Sequence, residues 1–195
     1  MPVLILLGVL ALGVFYVIGL YNKLVTLRQQ QKNSFAQIDV QLTRRYDLIP
    51  NLVETAKSFM AHEKDTLEKV ILARNQAFQA KQEVKADPAD PSAMKSLMNA
   101  ENSVRGALGS FLAVSESYPE LRSNENMKTL MEELASTENK VAFARQSYND
   151  STMEYNTARE LFPTSMVAGM FNFAPAPLFE VEDPAARKAV KVSFK

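Results

Sequence analysis

Residues 3–20 read VLILLGVLALGVFYVIGL, with no charged or amide side chain among them. As a helix rising 1.5 Å per residue, such a run covers about 27 Å, close to the hydrocarbon thickness of a bilayer. A cleaved signal peptide fits poorly, since no basic residue precedes the run and no small-x-small site follows it. A buried core helix fits no better, because the run is apolar on every face. A single transmembrane anchor over residues 1–20 is therefore predicted. Only Met1 and Pro2 precede the run, whereas Lys23, Arg28, Lys32, Arg44 and Arg45 follow it with Asp39 as the sole acid. The positive-inside rule then sets the N-terminus outside and the following domain in the cytoplasm, at the cytoplasmic (inner) membrane.

Composition narrows the remainder. The 22 basic and 22 acidic side chains cancel, which argues against a surface built for nucleic acid. The absence of cysteine removes disulfides, thiolate catalysis, lipoprotein processing and cysteine-based metal sites. Six glycines and nine prolines leave little room for a turn-rich β-sandwich or a glycine-rich nucleotide fold. His62-Glu63 suggests a metal-binding helix, but the second histidine of HExxH would fall at Thr66. No phosphate-cradling loop or nucleophile elbow is present. The expectation is a non-enzymatic protein with no catalytic residue, cofactor or metal.

Beyond the apolar run, helical spacing dominates the chain. Leu24, Leu27, Phe35, Ile38 and Leu42 keep it without a glycine or proline between residues 21 and 46. One rod from residue 3 to about residue 46 is predicted, roughly 65 Å long. Pro50 disfavours helix just before it, so the rod should break around residues 45–50, with Asp47 capping a second helix that runs to about Lys85. The linker ADPADPS (residues 86–92) ends in Asp90-Pro91, a capping carboxylate followed by proline at the first helical position. A third helix carries Met94, Leu97, Val104, Leu108 and Phe111 and stops at Tyr118-Pro119. Ser123 can cap a fourth, whose Leu130, Leu134, Val141, Ala144, Tyr148, Tyr155, Ala158 and Phe162 form a seam of about 3.5-residue period, as in a coiled coil. The fold class is thus all-α: a transmembrane helix continuous with the first helix of an up-down four-helix bundle (residues 21–160), then an apolar, irregular tail (residues 161–195).

An even number of helices returns residue 161 toward the membrane. The tail can fold back on the bundle, touch lipid or touch another subunit. Pro163, Pro175 and Pro177 prevent it from prolonging the fourth helix. The alternating Val190, Val192 and Phe194 suggest a short strand added to a neighbour. Deleting residues 161–195 is accordingly expected to weaken self-association and leave the bundle folded. Candidate interaction residues are Arg44, Arg45 and Asp47, placed with Asn51 at the far end of the first hairpin, and Phe171, Phe173, Phe179, Val192 and Phe194 in the tail. Glu138, Arg145 and Asn149 share one face of the fourth helix, a pattern that more often fixes register than performs chemistry.

The blocks YNKLVTLR (residues 21–28), IDVQLTRRYDLIPNLVETAK (38–57), HEKDTLEKVILAR (62–74), YPELRSNENM (118–127), ENKVAFARQSYN (138–149), LFPTSMVAGMFNF (161–173) and FEVEDPAARKAVKVSF (179–194) together resemble the LemA family. The likeness covers essentially the whole chain, and RRYDLIPNL (residues 44–52) is its most specific part. It implies a bacterial or archaeal single-pass membrane protein with a helical-bundle domain, and it supplies no reaction, because the family has no established catalytic activity. Family members are often encoded near a membrane zinc protease, and a magnetosome-membrane protein carries a similar domain, both hints of membrane maintenance or shaping. The function expected is a self-associating scaffold with the lipid bilayer and its own copies as partners and no nucleic acid. The alternative is an adaptor or sensor docking another membrane protein, such as a protease.

Overall fold

Pro2 sits in the first turn of a helix, where its missing N–H is not needed, and the chain stays helical for 56 residues: α1, Pro2–Lys57. In the computed structural model, which describes residues 1–180, five further helices follow. They are α2 (Lys64–Ala86), α3 (Pro91–Ser115), α4 (Pro119–Ser123), α5 (Glu125–Glu160) and α6 (Thr164–Met170). The described residues contain no strand. The proposed strand residues Val190, Val192 and Phe194 lie outside them.

The break expected at residues 45–50 is absent, and Asp47 caps nothing: α1 continues through Pro50, and the chain turns only at residues 58–63. A proline inside a helix deprives the carbonyl four residues earlier of its N–H donor. That carbonyl belongs to Tyr46, and the Arg74 guanidinium of α2 donates to it from Nε at 2.9 Å. The same guanidinium stands over the Phe78 ring at 5.2 Å and 3.9 Å from the Asp47 carboxylate. A cation from the next helix thus supplies what the proline removes. Arg74→Ala should cost about 1–3 kcal/mol in urea unfolding of the detergent-solubilised chain, the usual penalty for an orphaned buried carbonyl. In a Pro50→Ala background, where the backbone N–H returns, the same replacement should cost clearly less. Equal costs in both backgrounds would refute the compensation.

The other boundaries follow local chemistry. The Asp90 carboxylate accepts from Ser92 N at 2.7 Å and caps α3, as the Asp-Pro pair predicts. The cap of α5 is Asn124, accepting from Met127 N at 3.1 Å, and not Ser123, which ends the short α4.

Along α1 the buried stripe steps by three and four residues through Leu24, Leu27, Gln31, Ser34, Ile38, Leu42, Arg45, Ile49, Leu52 and Ala56. The α5 stripe does the same through Leu134, Thr137, Val141, Ala144, Tyr148, Thr152, Tyr155 and Ala158. Two such stripes pack near-parallel. Arg45 meets Glu138 while Ser34 meets Ser151, so the two helices run antiparallel. The α2–α3 hairpin packs against the distal part of α1. Phe162 does not belong to the seam: α5 ends at Glu160, and Phe162 is exposed.

Candidate functional site

Gln31 and Arg45 occupy the same heptad row of α1 as Leu24, Ile38 and Leu52, which carries two polar side chains into the interior. The Arg45 Nη1 lies 2.8 Å from Glu101 of α3 and 3.0 Å from Glu138 of α5, so one guanidinium ties three helices together. The Tyr46 hydroxyl donates to the other oxygen of Glu101. Burial, reinforced by the Glu101 charge, pushes the Tyr46 phenol far above its ordinary range and keeps it a donor at any physiological pH. Arg105 reaches Glu138 at 3.6 Å. Nearby, burial and then the Arg105 charge lower Arg145. Buried ion pairs of this kind contribute little net stability, because the cost of desolvating both charges offsets their attraction.

A second charged layer lies about two turns nearer the N-terminus of α1. The buried Lys81 ammonium donates to Thr43 Oγ1 at 2.6 Å and lies 2.9 Å from Asp39, which Lys85 also approaches at 3.0 Å. Burial would raise the Asp39 carboxyl, but the two ammonium groups outweigh it and hold it below the usual carboxylate range. A depressed carboxylate adds stability above its unfolded pKa, and that stability fades as pH falls through the folded value. Asp39→Asn should therefore cost about 1–3 kcal/mol at neutral pH. The gap to the natural chain should close below roughly pH 4. Parallel pH–stability curves for the two would contradict this.

Between α3 and α5 the helices stand apart, leaving an apolar groove of about 350 Å³ floored by Leu52 and lined by Leu108, Phe111, Met131 and Leu134. Arg45, Arg105 and Glu138 close one end of it.

The tail is held by a repeat. Tyr155 and Asn156 recur seven residues from Tyr148 and Asn149 on one face of α5. Tyr155 donates to the Ala174 carbonyl at 2.8 Å, while the Asn156 amide donates to the Ala176 carbonyl and accepts its N–H at 2.9 and 3.0 Å. Tyr148 donates to the Pro177 carbonyl at 2.9 Å, and Asn149 exchanges two bonds with the Phe179 backbone at 3.2 and 2.8 Å. Two helical turns advance about 10.5 Å and three extended, proline-rich residues about 9.3 Å, so successive rungs nearly coincide. Asn172, at φ 53°, makes the turn from α6 into this extended run.

The interaction residues read from sequence are therefore dispersed. Arg44 is exposed 3.8 Å from Glu133, Arg45 is buried, and Asp47 is exposed beside Arg74; all three lie within α1 and not at a hairpin end. Phe173 and Phe179 are buried in the chain's own interior, and only Phe171 stays half-exposed, its ring 4.9 Å from that of Tyr21. For the segment through Phe179, packing on the same chain replaces the expected contact across a neighbour. Val192 and Phe194 fall outside the described residues. Sequence reasoning passed over Glu101, Lys81 and Gln31. Glu101 stands four residues from Leu97 and three from Val104, a charged residue at a seam position, which is the signal that exposes it. The face shared by Glu138, Arg145 and Asn149 does meet partners, through Arg45 and Arg105 at one end and the tail at the other.

The family model described as the LemA family matches residues 34–194, which takes in both charged layers, the groove and the tail. The chain belongs to the LemA family. This LemA-family chain is also similar to "Magnetosome protein MamQ" of Magnetospirillum gryphiswaldense and to "Magnetosome protein MamQ 2" of Paramagnetospirillum magneticum. Each is 26% identical over 180 residues, a stretch covering 85% of this chain and 66% of the relative. The chain thus spans just under two thirds of the length of these relatives. Among the described residues one helix, α1, is long and apolar enough to cross a membrane, and its apolar window is wholly unburied within the protein. A membrane association is consistent with these findings.

Proposed function

We propose that this LemA-family protein is a single-pass scaffold of the bacterial cytoplasmic membrane, with a four-helix up-down bundle on the cytoplasmic side that associates with further copies of itself and organises or shapes the bilayer. The observation that carries this reading is α1, one helix from the apolar span to Lys57 with α5 laid back along it. Such an arrangement transmits position and force and offers no hinge around which a catalytic cleft would close. Val40 of α1 and Phe143 of α5 support lateral association. Both are exposed, and the Ser34–Ser151 and Arg45–Glu138 contacts place them at nearly the same height on the helix pair. The basic residues following the span support the cytoplasmic orientation.

The test is native mass measurement of detergent-extracted protein, with a Val40→Lys, Phe143→Lys double variant alongside. Homogeneous oligomers that fall to monomers in the variant are expected. Monomeric natural chain bound to one stoichiometric partner would overturn self-association in favour of an adaptor, the reading favoured by the open apolar groove between α3 and α5.

A further inference from the structure

From residue 161 to residue 179 the chain carries no charged side chain. Half of that apolar character is used inward. Val167 and Ala168 of α6, with Phe173 and Ala176 beyond it, pack into one cluster with Leu24, Leu27, Tyr155 and Ala158, flanked by Leu20, Tyr21 and Val25. The other half faces out. Phe162 is 80% exposed, Met166 64% and Met170 71%, with Leu161 and Phe171 beside them. Five large apolar side chains together exceed what a water-facing surface ordinarily tolerates without a partner.

Their position names the partner. The cluster that seats α6 includes Leu20, the last residue of the apolar run, and Tyr21, whose ring meets Phe171 at 4.9 Å and Phe173 at 5.6 Å. A residue adjoining the span lies at the bilayer surface, because one helical residue advances only about 1.5 Å. Lys23, Arg28 and Lys32 stand exposed on α1 within the next turns, and Arg28 covers the Phe173 ring at 5.0 Å. Outward aromatic and methionine side chains next to the exposed cations of α1 match the two layers of an anionic interface, acyl chains and then head groups.

We propose that residues 161–171 form an interfacial foot, which inserts Leu161, Phe162, Met166, Met170 and Phe171 into the same bilayer that α1 crosses and gives the domain a second membrane attachment. The proposal rests on the membrane-anchored function and deepens it. The anchor alone leaves the domain free to spin about the span, whereas span and foot together fix its rotation about the α1 axis against the lipid.

The chain has no cysteine, so single labels can be placed cleanly. Full-length Met166→Cys, Met170→Cys, Ser103→Cys and Val9→Cys variants, each carrying an environment-sensitive fluorophore, would be reconstituted into phosphatidylcholine–phosphatidylglycerol vesicles. Quenching by lipid-borne nitroxide and by aqueous iodide would then be compared. Labels at 166 and 170 should be quenched by shallow nitroxide lipids and be several-fold less sensitive to iodide than the label at 103, which marks exposed α3. The label at Val9 should be quenched by deep nitroxides. Lipid quenching at 9 with iodide sensitivity at 166 equal to that at 103 overturns the foot and leaves the anchor standing. No lipid quenching at 9 overturns the anchor itself. Protection at 166 from both quenchers, lost on dilution with excess lipid, assigns the surface to a second copy and overturns the lipid assignment. As a check on folding, Phe162→Ser with Met166→Ser and Met170→Ser should leave the melting temperature of the natural chain unchanged, because all three side chains face outward.

Discussion

Glu101→Leu is expected to destabilise the chain by about 3–5 kcal/mol, the range for breaking a buried ion pair from one side. Arg45 is almost wholly buried and would keep only Glu138, which is partly exposed. The Tyr46 hydroxyl, fully buried, would lose its acceptor at the same time. Arg45→Met should be similarly harmful, because it strands the Glu101 carboxylate beside a phenol that burial keeps neutral. The double variant should cost far less than the sum, since well-packed apolar residues can replace a buried pair with little loss. Urea unfolding of the four proteins in detergent gives the coupling directly. Additive costs would mean that Arg45 and Glu101 do not act as a unit.

Removing residues 161–195 should lower stability by about 6 kcal/mol, taking about 2 kcal/mol for each of the buried Phe173, Phe179 and Val167. The loss is concentrated where α1 leaves the apolar span, since Leu24, Leu27 and Tyr155 would lose their cover. This replaces the expectation, drawn from the prolines alone, of a folded domain with weakened association. A finer variant separates the tail from the core: Asn149→Leu with Asn156→Leu removes both amide rungs and leaves the helices their apolar contacts. Limited proteolysis of that protein should cut first within residues 171–180. Thermal melting by circular dichroism would report the truncation, and a melting temperature equal to that of the full chain would refute this packing of the tail.

The helices and their seams are legible in the sequence because period is a property of each segment by itself. Leu134, Val141, Ala144, Tyr148, Tyr155 and Ala158 all reach the interior as their spacing indicates. The first turn is not legible, because what allows helix through Pro50 is Arg74, which lies 28 residues from the carbonyl it serves. Local rules weigh proline against its neighbours and have no access to such a donor. Lys81 and Glu101 are missed for a related reason: a charged residue is assigned to water unless its partner is known. The tail is intermediate. Its prolines correctly exclude a prolonged α5, while the paired Tyr-Asn steps seven residues apart carry a clamp signal visible only against the three-residue step of an extended chain.

With residues 3–20 in a bilayer, the uninterrupted helix becomes a lever arm whose fulcrum is the membrane surface. From residue 21 to Arg45 the arm is about 36 Å long, and a tilt of about 20° sweeps its end sideways by roughly 12 Å. A bilayer thinner than the span increases the tilt and so increases the sweep. Small differences in membrane thickness are thereby converted into large lateral displacements of the layer where Arg45 joins α1 to α3 and α5.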